Sequence, residues 1–205
     1  MPLLLRPTRR VLTAFLIALG AGACAQSQPE VDAVEATAQV AGCLEAGDGT
    51  LQADLRGALE ADLSWSNAQM QCEGGMRPDR NGIRITIAGP LPAMPARPTA
   101  LPDSQSALRF IFGIDLQDTA SGAAQALPTN LTVIIEGAQL LYATRGDDKC
   151  AVETLERTPL AGNTKLERVK VRGYCSGPAS DLAGTSRLFV PTFSFTALLN
   201  TGGDP

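Results

Sequence analysis

Histidine is missing from all 205 residues of this chain. Its absence removes the commonest general base near neutral pH and the commonest metal ligand. Histidine-based triads, zinc proteases of the H-E-x-x-H kind and histidine-held haem are therefore excluded. Aromatic residues make up 4% of the chain, with a single tryptophan, Trp65, so an aromatic sugar-binding platform is disfavoured. No apolar run reaches the roughly 20 residues that a transmembrane helix needs. No basic stretch follows the first few residues and the net charge is −4, which argues against nucleic acid or an anionic membrane surface as partner. S-x-x-K, G-x-S-x-G and phosphate-cradling glycine loops are absent as well. A serine–lysine dyad or a carboxylate pair is the remaining route to catalysis. Enzymatic activity is not expected, and nothing in the chain calls for a cofactor.

What the chain does have, at its start, is an export signal. Arg6, Arg9 and Arg10 give a positive n-region, "VLTAFLIALG" is the apolar run, and small residues Ala21-Gly22-Ala23 precede Cys24. Two readings of the cut stand side by side. Ala21-Gly22-Ala23 fits ordinary A-x-A cleavage. The same residues followed by Cys24 resemble the lipobox of bacterial lipoproteins, with Ala21 where that family usually carries Leu. The resemblance covers the leader alone. It implies that the Cys24 thiol receives diacylglycerol and becomes the first residue. It also implies the outer membrane, because Ala25 is not the Asp that marks inner-membrane retention in that family. A soluble periplasmic protein is the alternative. "TRRVLT" also resembles a twin-arginine signal, although paired arginines serve equally as plain n-region charge.

Cysteine arithmetic bears on the choice. Cys24, Cys43, Cys72, Cys150 and Cys175 make an odd count in an exported chain, so one thiol is left over unless Cys24 is lipidated. Four cysteines allow three pairings. Cys43–Cys72 and Cys150–Cys175, the pairs nearest in sequence, are the expected ones. A cysteine metal site is disfavoured by the lack of both C-x-x-C and histidine.

Residues 1–23 are thus read as signal peptide and 24–41 as a tether, with a short helical pattern at Val31, Val34 and Ala38. A β-sandwich domain is expected over 42–200, and 201–205 are expected to be a disordered tail. Within the domain, period two dominates. Leu51, Ala53, Leu55, Leu59, Ala61, Leu63 and Trp65 share one parity, and Gln52, Asp54, Arg56, Glu60, Asp62 and Ser64 the other. This reads as two half-buried strands with a bend near Gly57. Strand faces recur at Ile83–Ile87, Leu108–Ile114 and Leu131–Ile135. "QLLYATRGDDKCAVETLE" reads as strand, tight turn, strand, and "ERVKVRGYC" and "RLFVPTFSFTALL" follow. In the last segment Phe189, Phe193 and Phe195 share a face, and Pro191 predicts an edge strand or a bulge. Asn81-Gly82 is expected to supply the positive φ of a hairpin turn. About eight or nine short strands argue for an all-β fold, a single antiparallel β-sandwich or partly open barrel.

Few constellations carry chemistry. Arg145-Gly146-Asp147 resembles an integrin-binding tripeptide, but its composition is that of a turn. Asp147 and Asp148 are weak calcium candidates, since Ca²⁺ takes six or more oxygen ligands. The proline-rich stretch Gly89–Ser106 is either an inert excursion or a docking loop for an envelope protein partner. The expected function is that of a cell-envelope lipoprotein, tied to the membrane by its N-terminal lipid and acting as a binding or structural module through surface loops. A periplasmic enzyme or a calcium-dependent carbohydrate-binding domain is the alternative.

Overall fold

The computed structural model describes residues 42–78, 81–92, 107–116, 126–138 and 140–202. Its strands are β1 (Thr50–Gly57), β2 (Ala61–Ser66), β3 (Gln71–Met76), β4 (Gly82–Pro90), β5 (Ala107–Asp115) and β6 (Leu127–Ile135). They continue with β7 (Leu140–Ala143), β8 (Cys150–Leu160), β9 (Asn163–Cys175), β10 (Ala179–Ser180), β11 (Arg187–Phe189) and β12 (Thr192–Asn200). Among the described residues one 3-10 turn occurs, Asn67–Gln69, and it joins β2 to β3.

All twelve strands belong to one antiparallel sheet. Three pairs of them are halves of one interrupted ribbon. β7 and β8 both run antiparallel to β6, so they point the same way. β11 and β12 both run antiparallel to β1. β10 and β9 lie alongside them in turn. Twelve strands less three interruptions leave nine ribbons, in the order β3, β4, β5, β6, β7/β8, β10/β9, β11/β12, β1, β2. This is the antiparallel sandwich or partly open barrel that the strand pattern predicts, but with twelve strands in place of the expected eight or nine, because three of the ribbons are interrupted. The segment around Arg145-Gly146-Asp147 differs from expectation: it is an excursion within one ribbon, not a reversal between two strands.

The period-two pattern works because alternate side chains leave a sheet on opposite faces. Ile83, Ile85, Ile87, Leu108, Phe110, Phe112 and Ile114 are fully buried. They meet the inner faces of β2 and β12 through a chain of rings. Trp65 stands edge-on to Phe110 at 5.8 Å between centroids, and Phe112 lies 4.9 Å from Phe193 and 4.7 Å from Phe195. The rolled sheet closes where β3 meets the end of β12, the Leu198 N–H donating to Cys72 Sγ at 3.4 Å.

Both expected disulfides form, Cys43–Cys72 and Cys150–Cys175. The second joins residues directly opposite in the β8–β9 ladder.

Three local expectations need correction. Gly82 does not have a positive φ; glycine is required there because a Cβ would collide with the Ile114 carbonyl oxygen. Phe189 does not share the face of Phe193 and Phe195. Between Ala53↔Phe193 and Arg56↔Phe189 the register with β1 slips by one residue, so the strand is bulged at Pro191. One extra residue reverses the alternation, and Leu188 and Val190 are buried instead. That ribbon is flanked on both sides, so the bulge, not an edge, accommodates the proline. Finally, Gly89 and Pro90 belong to β4, with Pro90 opposite Ala107. The rest of the proline-rich stretch, residues 93–106, lies outside the described residues, as do the leader and the expected tether helix.

Candidate functional site

The clearest concavity lies on a sheet face, not at the loop ends. It is an open trough of about 630 Å³ crossing the outer face of β2, β1, β12, β9 and β8. Register builds it. Ser64, Gln52, Ser194, Arg172 and Thr154 face one another across five neighbouring strands and form one ridge. Two residues further along the strands, Asp62 stands opposite Asp54, and Thr192 opposite Tyr174, as the second ridge. Between the ridges runs the row Leu63, Ala53, Phe193, Gly173; the first three turn their side chains inward, Gly173 has none, and the backbone of the row forms the floor. With a rise of about 3.4 Å per residue the ridges stand about 7 Å apart, and five strands at about 4.8 Å make a trough about 19 Å long.

Local features equip this trough. At β8 the register shifts between Val152, opposite Gly173, and Thr154, opposite Arg172. Glu153 is the unpaired residue of that bulge and lines the trough. Bulges re-aim side chains in this way, often beside functional sites. Tyr174 is 40% exposed, one of three large apolar side chains so exposed among the described residues. Arg172 is exposed, and no hydrogen bond or ion pair of its guanidinium occurs among the described residues. Asp54 and Asp62 stand directly opposite each other, an arrangement that like charges disfavour. Two contacts relieve it: the Thr192 hydroxyl donates to Asp54 Oδ2 at 2.7 Å, and Arg56 Nη2 lies 2.7 Å from Asp62 Oδ1. The hydrogen bond to Asp62 raises the Arg56 pKa above its ordinary value.

The residues singled out in the sequence lie elsewhere. Cys43, Cys72, Cys150 and Cys175 are consumed in disulfides, and Cys24 lies outside the described residues. Asp147 is a strut. Its Oδ1 accepts from Asn130 Nδ2 at 2.5 Å, its Oδ2 lies 3.4 Å from Arg77 Nη1, and its carbonyl accepts from the Thr129 N–H. Arg145, at φ 54°, donates to the carbonyls of Asp181 and Leu182. Both charged ends of the Arg145–Asp147 tripeptide are thus tied to the fold. Among the described residues no three His, Cys, Asp or Glu side chains converge as metal ligands would, so Asp147 and Asp148 gain no third carboxylate.

The polar parity of Gln52, Asp54 and Ser64 was visible in the sequence as the wet side of two strands. Their alignment with Thr192, Ser194, Arg172 and Tyr174 was not, because it depends on pairing the first strand with the last. A smaller cavity of about 240 Å³ lies between Gln69, Met70, Gly89 and Arg109, where Arg109 and Glu136 pair with each other at 2.6 Å. No family model, no curated protein and no solved structure matches this chain.

Proposed function

We propose that this protein is a binding module of the bacterial cell envelope, exported by its leader, held in the outer membrane by lipid on Cys24, and presenting the trough to its ligand. The trough carries the reading: two polar ridges with an exposed tyrosine, an exposed arginine and a bulge-borne glutamate around an open floor. Mobile loops would lose conformational entropy on binding, whereas this face is held in register by ladders on both sides of each central strand. The cysteine count supports the anchor. With four thiols paired to one another, Cys24 is the odd one, and a lipid on it resolves the arithmetic. Among the described residues no helix is long and apolar enough to cross a membrane.

Two measurements test this reading. Mass spectrometry of the mature N-terminus is expected to find a diacylated Cys24; an unmodified Cys24, or a chain beginning at Gln26, overturns the anchor. A photo-crosslinking residue at Ser64 or Ser194, in intact cells, is expected to give adducts absent when the same residue replaces Thr158 on the exposed hairpin. Adducts from Thr158 alone overturn the trough as the binding face.

A further inference from the structure

The trough's chemistry narrows the class of ligand, and this step rests on the proposed binding role. Across the middle of its floor the backbone groups belong to β1, β12 and β9, each paired on both sides, so a ligand lying there meets side chains, not a free strand edge. An added peptide strand is therefore the wrong occupant. The side chains differ in what they ask of a partner. The carboxylates of Asp54 and Glu153 only accept hydrogen bonds, Arg172 only donates, and Ser64, Ser194 and Gln52 do both. A ligand that satisfies them all carries groups that donate and accept along its whole length. Hydroxyl groups do so. A polyanion would meet Asp54 and Glu153, with Arg172 the one cation among the lining residues to offset them.

We infer that the trough binds a neutral, linear, hydroxyl-rich glycan lying across the strands, with one sugar face stacked on Tyr174. The repeat of such a chain is comparable with the strand spacing of about 4.8 Å, so about four units fill the length from β2 to β8. Tyr174 offers an apolar ring face beside polar neighbours, the pairing of surfaces that a pyranose presents. Planar groups on the ridges, the Gln52 amide, the Asp54 carboxylate and the Arg172 guanidinium, suit paired hydrogen bonds to neighbouring hydroxyls.

Saturation-transfer NMR on the full mature chain tests the assignment, with cellotetraose, chitotetraose and mannotetraose as probes at up to about 10 mM, a range that detects weak binding. Transfer to the ring protons of at least one tetrasaccharide is expected. Y174A should weaken that binding at least about tenfold and Y174F by no more than about threefold, since the ring face is what stacks. Q52A should also weaken it. Because Tyr174 and Gln52 are exposed, their variants should melt with the wild type, which separates lost binding from lost fold. No transfer with any of the three sugars, or transfer unchanged in Y174A, overturns the inference. Trough-specific protein adducts in cells, without glycan binding, would overturn the glycan and leave the binding module standing.

Discussion

Asn67 shows what a single residue can hold in place. It is buried, and its Oδ1 accepts from the N–H groups of Leu44 and Gly49 at 2.8 and 3.1 Å while its Nδ2 donates to the Leu44 carbonyl at 3.0 Å. The segment ahead of β1, which carries Cys43, is thereby fixed to the turn after β2. N67A leaves two buried N–H groups unpaired, and an unmade buried hydrogen bond costs more than a made one contributes. The expected loss is about 2–3 kcal/mol, read as a lowered urea midpoint at unchanged m-value. A loss below about 0.5 kcal/mol would mean that water takes over the amide's role. Gly89 is constrained in another way. A Cβ there would sit 2.7 Å from the Trp65 indole, and Trp65 in turn packs on Phe110. G89A is expected to cost about 1–3 kcal/mol by overpacking, measured by the same titration. A neutral result would show that the indole shifts freely.

At the scale of elements, interruptions do much of the shaping. The link from β10 to β11 turns on Asp181, whose Oδ1 accepts from the Thr185 N–H and Oδ2 from its hydroxyl. Burial works against ionisation here, but the bonds from Thr185, Ser186 and Gly184 outweigh it and hold the Asp181 pKa below the ordinary 3.8. A carboxyl whose folded pKa lies below its unfolded one stabilises the fold when ionised. That contribution is complete above the unfolded value and is lost as pH falls through the folded value. Thermal melts from about pH 6 to about pH 2 should therefore show a wild-type advantage over D181A that is constant near neutrality and shrinks in the acid range. An advantage that grows on acidification would contradict the assignment. β8 shows a different management of its free edge. Only Cys150 to Val152 pair with β6, and beyond them Glu153, Glu156, Arg157 and Pro159 discourage further pairing by charge and by a missing N–H.

For the whole molecule, the disulfides and the rolled sheet act on the same problem, that of joining segments distant in sequence. Cys150–Cys175 and Cys43–Cys72 close loops with separations of 25 and 29 residues. Removing either by paired serine substitution should cost about 3–4 kcal/mol by loss of loop-closure entropy in the unfolded chain, measured by urea unfolding. The Cys43–Cys72 variant should suffer beyond that, because it also releases the contact between Cys72 Sγ and the Leu198 N–H that closes β3 onto β12. Equal losses would indicate that this contact adds nothing. Thiol titration of the denatured, unreduced mature chain should find no free sulfhydryl if Cys24 carries thioether-linked lipid, and one if it does not.

Side-chain alternation in the sequence determined which faces are dry. Leu51 to Trp65, Ile83 to Ile87, Leu108 to Ile114 and Leu131 to Ile135 all bury the predicted side, because burial of a strand face is a local, period-two demand. Cys150 and Cys175 share that alternation with Val152, Val169 and Val171 and are likewise buried, where they form their bridge. What the local pattern could not hold was anything that depends on count across a break. One residue inserted at Pro191 turned Phe189 outward, and the excursion at Thr144–Lys149 continued a ribbon that looked like a hairpin. The trough belongs wholly to that second kind. Its ridges exist because β1 pairs with β12, about 140 residues away in sequence, and register between such distant strands is set by the packing of the closed sheet, not by either strand alone.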